Sequence, residues 1–497
     1  MQFIYLFVIV ILILLFFQGV FMLETLHSGI SAVSNVLYQP WFVPLILMAG
    51  GVYFTFRSKF IQGRLFKESI RVVMEKPVEE NGVSSFGALM VSTASRVGTG
   101  NIIGVATAIC LGGPGAVFWM WITAIIGGAT AFIESTLAQI YKKRADDGTC
   151  YGGPAFYMQQ ALGQRWLGVI FSVLIILIYA VGYNMLAAYN LQSAFAVFSF
   201  YDSGITPKVI GLILMVLFGV IVLGGAKRLI KVTEVLVPLM GIIYVLVSLI
   251  IMALNITALP GMIAGIFRGA FDFSSMAGGF AGSCIMWGIK RGLYSNEAGM
   301  GSAPNAAARA DISHPAKQGL VQMLSVFIDT LLICTATAFM CLSTSIDPAG
   351  YVADGSADAA GYVQNSIADS LGTFGPVFLA VSLSLFAFTT LIGNYSYCEG
   401  CLEFIINRDA PKPGLIAFRL IATVLVYVGA TASAGFVWDT ADMLQAMIVV
   451  VNVPVIVILG NTAIKCLSDY ILQRREGRDP VFLAKNIGLK QDTDYWK

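Results

Sequence analysis

Apolar residues gather into long runs separated by short polar or basic loops. The runs cover residues 2–22, 41–57, 86–110, 115–141, 167–199, 208–224, 232–254, 275–294, 319–343, 375–405, 414–433 and 440–465. Hydrocarbon about 30 Å thick and a helix rising about 1.5 Å per residue require roughly 20 residues per crossing, so the runs predict membrane spans. The composition agrees: 57% of residues are hydrophobic and 12% charged, about half the roughly 25% charged fraction of soluble domains. An all-α polytopic membrane protein is predicted and a soluble enzyme excluded. With 30 Lys and Arg against 28 Asp and Glu, the chain is too balanced to suggest nucleic acid as a partner. Its expected surroundings are the lipid bilayer, and no obligatory protein partner is evident.

The position of charge sets the expected orientation. Arg57, Lys59, Arg64, Lys67, Arg71 and Lys76 fall in one loop, and Lys142, Lys143, Arg144 and Arg165 in another. Lys227, Arg228 and Lys231, then Arg309 and Lys317, then Arg408 and Lys412 mark three more, and the tail from Lys465 is basic. Excess Lys and Arg predicts that these loops and the C-terminus are cytoplasmic. The alternate loops carry only Lys208 and Arg268, and residues 344–374 hold Asp347, Asp354, Asp358 and Asp369 with no basic residue, so they are expected outside. Eleven spans satisfy this alternation. The run at 2–22 has no Lys or Arg before it and lacks the basic region of a signal peptide, so it reads as an additional, retained twelfth helix.

Two spans are interrupted. The run at 86–110 contains Ser95-Arg96-Val97-Gly98-Thr99-Gly100-Asn101, and the run at 275–294 contains Gly278, Gly279 and Gly282, then Met286-Trp287-Gly288-Ile289-Lys290-Arg291-Gly292, and runs on into Ser295-Asn296-Glu297-Ala298-Gly299-Met300-Gly301. Single glycines serve equally well for close helix packing. Two interrupted spans that each begin a five-helix unit are a stronger sign. Residues 85–254 and 275–465 then form two repeats of opposite insertion, the plan of transporters whose site lies where broken helices meet at the midplane. Around this core lie the apolar segment 1–22, an extra helix with its basic loop at 23–84, and the tail 466–497.

A broken helix frees amide N–H groups at the start of its second half and carbonyls at the end of its first, a pairing suited to a zwitterion. Gly98 to Asn101 offer donors, Asn101 an uncharged amide, and the carbonyls of Ile285, Met286 and Trp287 acceptors. Thr389 and Thr390 place neighbouring hydroxyls in an apolar stretch, hard oxygens suited to Na+, although such hydroxyls commonly bond back to their own helix. Glu134, Asp329, Glu399 and Glu403 lie in or near spans, where a proton relay competes with structural pairing to Arg96, Lys290 or Arg291. Glu297 reads either as part of an inner gate or as a helix cap. The Cys398–Cys401 pair lies in a membrane run far in sequence from the two histidines, His27 and His314, so helix packing is expected there rather than a metal or redox site.

Four segments carry a family resemblance: residues 92–102, residues 112–121 beginning Gly112-Gly113-Pro114-Gly115-Ala116, residues 151–158 beginning Tyr151-Gly152-Gly153-Pro154-Ala155, and Ser295-Asn296-Glu297-Ala298-Gly299-Met300-Gly301-Ser302-Ala303-Pro304-Asn305-Ala306-Ala307. They resemble the alanine or glycine:cation symporters over about residues 23–470. The resemblance implies a 5+5 inverted-repeat, leucine-transporter-like core with an extra N-terminal helix. It further implies Na+-driven uptake of alanine or glycine across a prokaryotic plasma membrane, with Na+ as coupling ion and no organic cofactor. By resemblance the amino acid contacts Thr99, Gly100, Asn101, Gln192, Ile285, Trp287, Gly288, Ile289 and Thr389. Na+ would use Thr389 and Thr390 with carbonyls near Ala94, Val97 and Gly98. An H+-coupled carrier of other amino acids is the alternative within transporters. A channel would want rings of like residues from identical subunits, and a membrane enzyme would need a catalytic cluster that is not seen.

Overall fold

A computed structural model describes residues 20–79, 82–145, 148–224, 226–272, 283–353, 355–406, 412–489 and 493–496. The expectations for residues 2–19, Gly278, Gly279, Gly282 and Arg408 lie outside them. The chain is almost wholly helical, and the helices that position the site are α1 (Val20–Leu37), α2 (Val43–Arg57), α3 (Ser85–Arg96), α4 (Ile103–Gly112), α5 (Gly115–Ile140), α6 (Arg165–Ser193) and α7 (Thr206–Leu223). They continue with α8 (Ala226–Leu254), α9 (Cys284–Asn296), α10 (Ala303–Ala307), α11 (Pro315–Leu342), α12 (Phe374–Ile405), α13 (Lys412–Thr431) and α14 (Ala434–Arg475).

Eight of these helices are long and apolar enough to cross a membrane, and α3 with α4, bent by 59°, makes a ninth. The remaining two runs of the eleven expected are shorter where described: α2 has 15 residues and α9 has 13. α7 and α8 expose rows of aliphatic side chains, including Leu212, Val216, Val220, Leu239, Leu246 and Ile250. Such contiguous apolar surface fits hydrocarbon rather than water. α5, α11 and α12 are mostly buried and form the centre.

Loops expected on one side meet one another. Lys142 Nζ donates to Ala310 O at 2.8 Å, Lys317 pairs with Glu75 at 2.8 Å, Arg144 pairs with Glu79, and Arg165 reaches Phe404 O at 3.3 Å. The alternate loops meet at the opposite end, where Gln364 Nε2 donates to Ala194 O at 2.6 Å and Asn255 Nδ2 to Ser370 Oγ at 2.7 Å. Charge alternation along the chain therefore corresponds to a real segregation of loops into a basic end and an acidic end.

The first break lies where the glycines predict. α3 starts on Ser84, whose hydroxyl accepts from Gly87 N at 2.9 Å, and stops at Val97. Gly98 is extended, Thr99–Asn101 make one tight turn, and α4 resumes. Among the described residues the second interruption falls in the last part of the expected stretch, not at 285–292. α9 runs without interruption through Ile285, Trp287, Gly288 and Ile289, capped at its start by Ser283, whose hydroxyl accepts from Met286 N at 3.2 Å. It ends at Glu297, which holds φ of 55°, and Gly299 and Gly301 follow at 91° and 75°, the left-handed region that glycine enters without a steric penalty. Among the described residues the break is thus 297–302. Gly288 and Gly292 serve packing instead: a methyl on either would stand 2.5 Å from Trp119 Cβ or Thr123 Oγ1 of α5.

Candidate functional site

The two breaks meet in the buried centre. Ser95, at the end of α3, donates to Glu297 Oε1 at 3.0 Å. Asn101 Nδ2 lies 3.0 Å from Ser295 Oγ and 2.6 Å from Asp329 Oδ1, and Ser295 Oγ donates to Asp329 Oδ2 at 2.6 Å. Asp329 sits on a π-helical stretch of α11, Phe327–Cys334, a local underwinding frequently found at functional sites. α6 carries another, Leu177–Tyr183, ending in Tyr183, whose ring stands edge-on to Tyr294 at 4.8 Å. Tyr294 in turn covers Gly100: a methyl there would collide with its ring.

The expected amino-acid contacts divide into two groups. Thr99, Gly100 and Asn101 lie at the break, with Thr99 and Gly100 at the start of the tight turn, where backbone N–H groups have no helical acceptor behind them. Asn101 is largely committed to the protein, since its Oδ1 accepts from Gly98 N at 2.8 Å and its Nδ2 serves Asp329 and Ser295. α6 reaches the break through Asn190, whose Nδ2 donates to Thr99 Oγ1 at 3.0 Å. Gln192, named from the sequence, accepts from the Tyr201 hydroxyl at 2.8 Å. Ile285, Trp287, Gly288 and Ile289 are not brought to this break. Trp287 lies beside Gly112, at the far end of α4, about 10 Å along α9 from Tyr294 by helical rise. Because these residues open a continuous helix, their carbonyls accept bonds from the next turn and are not the free acceptors that a break at 285–287 would provide.

Thr389 and Thr390 also diverge. Thr389 Oγ1 bonds back to Leu385 O at 3.0 Å and Phe386 O at 3.1 Å, with Met240 Sδ at 3.3 Å. Thr390 Oγ1 is buried with no hydrogen-bond partner and faces Gly98, where a methyl would collide with it. α12 approaches so closely because Gly393 lies on the α3 backbone, a methyl there meeting Ser95 N at 2.5 Å. Gly98 N turns to Asn101 Oδ1, and Asn101 N bonds to Gly98 O at 3.2 Å. The carbonyls of Ala94 and Val97 thereby lose the donors that a continuous helix would supply. An orphaned hydroxyl beside two released carbonyls suits a hard cation such as Na+, which needs oxygen ligands. That donor set fits at Thr390, Ala94 and Val97, whereas the Thr389 hydroxyl is engaged by its own helix and the Gly98 carbonyl by Asn101 N.

The membrane-embedded charges pair otherwise than expected. Lys290 and Arg291 both bind Asp442 Oδ2 at 2.8 Å, and Glu399 pairs with Arg419 at 2.7 Å. Glu134 accepts from Asn452 at 3.0 Å and from Gly301 N at 3.1 Å. Arg96 Nη1 holds Gln322, and its Nε and Nη2 have no hydrogen-bond partner among the described residues. Of the two roles offered to Glu297, the one at the helix end is what the described residues show. It ends α9 and receives the hydroxyls of Ser95 and Ser302, but no basic residue forms an ion pair with it among the described residues. Ser295 was singled out only as the start of a resemblance-carrying string, and Asn190 and Tyr294 had no sequence signal beyond a polar residue or ring in an apolar run. Asp329 did, as a carboxylate at membrane depth.

The sequence profile described as the sodium:alanine symporter family matches residues 23–484. The amino-acid carrier protein AlsT of Bacillus subtilis is 45% identical, covering 95% of this chain and 98% of the relative. The probable sodium/glutamine symporter GlnT of the same organism is 43% identical over 95% and 97%. The sodium/alanine symporter AgcS of Methanococcus maripaludis is 34% identical over 88% and 95%. Among solved structures, the crystal structure of MhsT in complex with L-phenylalanine superposes with a TM-score of 0.53 at 16% identity, covering 84% of this chain and 94% of that one, a likeness of fold. The match across nearly the whole chain and the related carriers agree that this integral membrane protein, no enzyme but a secondary active amino-acid symporter, belongs to the sodium:alanine symporter family.

Proposed function

We propose that the protein couples inward Na+ flow to uptake of alanine or glycine by alternating access around the two breaks, with its basic end and C-terminus in the cytoplasm of a prokaryote. In this reading residues 85–254 and 275–465 are the two inverted repeats. The amino-acid carboxylate takes the N–H groups of Thr99 and Gly100, beneath Tyr294, and Na+ takes Thr390 with the carbonyls of Ala94 and Val97. Ile285, Trp287, Gly288 and Ile289 line the approach from the acidic end, and Gln192 borders it from α6.

The single observation that carries the reading is the unpartnered Thr390 hydroxyl facing Gly98 beside released carbonyls. A buried hydroxyl without a partner is costly unless a ligand satisfies it. Such a ligand would also hold α12 against α3, which explains how the gradient of one solute can drive another: filling the site favours the arrangement in which Thr99 and Gly100 are correctly placed. The sodium/alanine designation of AgcS supports both solutes, and the glutamine in the designation of GlnT marks the competing substrate. The test is uptake of labelled alanine into proteoliposomes under an imposed Na+ gradient, with glycine and glutamine as competitors. Accumulation that needs Na+ and is blocked by glycine supports the proposal; accumulation indifferent to Na+ sinks it.

A second reading, H+ coupling, draws on Asp329 and Glu297. Both carboxylates are fully buried and receive hydroxyl or amide donors rather than an ion pair among the described residues. Uptake driven by a pH gradient in Na+-free buffer would favour it.

A further inference from the structure

The chain beyond α14 folds back across the basic end. At Gly477, with φ of 75°, it reverses, and Gln473 fixes the return by accepting from Val481 N at 2.9 Å while donating to Val481 O at 3.0 Å. Phe482 N then bonds to Ser313 O at 2.9 Å, and Ser313 Oγ to Pro480 O at 2.9 Å. Phe482 is buried, its ring 5.3 Å from His314 and 5.4 Å from Trp496. Residues 493–496 reach the far side of the same face. Trp496 Nε1 donates to Gln139 O, the last turn of α5, at 2.7 Å, Asp494 pairs with Lys143 at 3.3 Å, and Lys142 Nζ stands 3.8 Å from the centre of the Tyr495 ring.

What this strap touches gives it a function. Tyr495 donates to Asp311 Oδ1 at 2.5 Å, while Asp311 Oδ2 accepts from Glu79 N at 2.7 Å and Asp311 N donates to Val83 O at 2.9 Å. Residues 78–84 lead directly into α3, the inner half of the first broken helix. Residues 308–314 lead directly out of α10, the inner half of the second. Asp311 therefore joins the inner ends of both broken helices, and the strap fastens that junction to the ends of α5 and α14. A path from the site to the basic end cannot open between α3, α10 and their neighbours without moving one of these two segments.

We infer that residues 479–489 and 493–496 are an inner latch: docked on Asp311, Gln139 and Lys143 they hold the cytoplasmic path shut, and they leave that position each time the path opens. The inference rests on the orientation and the symport reading proposed above. Its fastenings suit repeated release, since the Lys143–Asp494 pair is largely exposed, with side chains 35% and 53% accessible, and exposed pairs hold weakly. The buried rings of Phe482 and Trp496 supply the return force, because undocking exposes them to water.

The test uses the full chain with K143C and D494C together, bridged by a bis-methanethiosulfonate reagent that a reductant cleaves, with each single cysteine variant as control. Bridging is expected to lower Na+-driven alanine uptake at least tenfold, with recovery on reduction and no loss in the single variants. Bridged protein that takes up alanine within twofold of the unbridged rate overturns the latch and leaves symport standing. A parent protein without Na+-driven uptake sinks the symport reading instead. The latch then stands or falls on hydrogen exchange in Y495A/W496A, which is expected to accelerate at least tenfold in residues 78–84 and 308–314. Acceleration confined to residues 479–496 overturns it.

Discussion

Tyr294 closes directly over Gly100, so that the first break has no room for a side chain at that position. The ring is held from behind by Tyr183 at 4.8 Å and Trp438 at 5.4 Å, which limits how far it can retreat. A lid fixed in this way sets the height of whatever lies beneath it, and it makes Tyr294 the residue expected to govern substrate size.

Gly100→Ala is therefore expected to lower alanine uptake at least tenfold, because the buried ring cannot move aside without disturbing its neighbours. Pairing it with Tyr294→Leu should restore part of the uptake. Equal uptake by Gly100→Ala and parent, in protein shown to be folded, would contradict the close approach.

Substrate range should follow the same ring. Tyr294→Leu is expected to raise competition by leucine or glutamine against labelled alanine, since the space it vacates adjoins the Thr99–Asn101 turn. Trp287→Ala, alongside Gly112 and away from the break, should leave the order of competitors unchanged. A reversed outcome, with Trp287 controlling selectivity, would return the binding site to the 285–289 stretch.

Removing the hydroxyl of Thr390 should weaken Na+ binding by roughly 10- to 100-fold, the range given by about 1.5–3 kcal/mol for a lost contact to a charge. Thr389→Val should have a smaller effect, since that hydroxyl is already engaged by Leu385 and Phe386 carbonyls. The double change Thr389→Ala with Thr390→Val should abolish gradient-driven uptake. Half-saturating Na+ concentrations measured across the three variants give the ranking, and an undisturbed Na+ response in the double variant removes the assignment.

The cluster at Asp442 concerns stability. Asp442 and Arg291 each have 2% of the side chain exposed and Lys290 has 12%. Asp442→Asn strands two cations on apolar and aromatic surfaces, and breaking a buried pair this way costs about 3–5 kcal/mol. A large fall in thermal midpoint in detergent is expected, with a smaller fall for Lys290→Met. Midpoints that match the parent would show that water reaches the cluster.

At the basic end, burial pulls the His314 imidazole below its ordinary pKa, with the Asp469 carboxylate at 3.1 Å opposing that shift. The fold thus favours neutral His314. Its contribution to stability is complete above the unfolded value of about 6.5 and is lost as pH falls through the lowered folded value. Thermal midpoints at pH 8 and pH 5 should differ more in the parent than in His314→Gln. An identical difference in both would assign acid sensitivity to other groups.

The sequence by itself determined nine of the apolar spans, the segregation of basic loops and the position of the first break. These are local properties: twenty apolar residues need hydrocarbon wherever they lie, and Gly98 and Gly100 beside Arg96 cannot continue a lipid-facing helix. The second break was not local in the same sense. Both 286–292 and 295–302 carry glycines, and only packing distinguishes them: Gly288 and Gly292 are spent on the close approach to α5, whereas Gly299 and Gly301 take the left-handed backbone that ends α9. The same holds for the two threonines. Adjacent residues on a helix point about 100° apart, so the approach of α12 to α3 through Gly393 turned Thr390 toward Gly98 and left Thr389 to its own carbonyls. The contacts of Asn190, Tyr294 and Asp329 with the first break likewise exist only because helices distant in sequence converge there, and hydropathy along the chain has no term for which face of one helix another will meet.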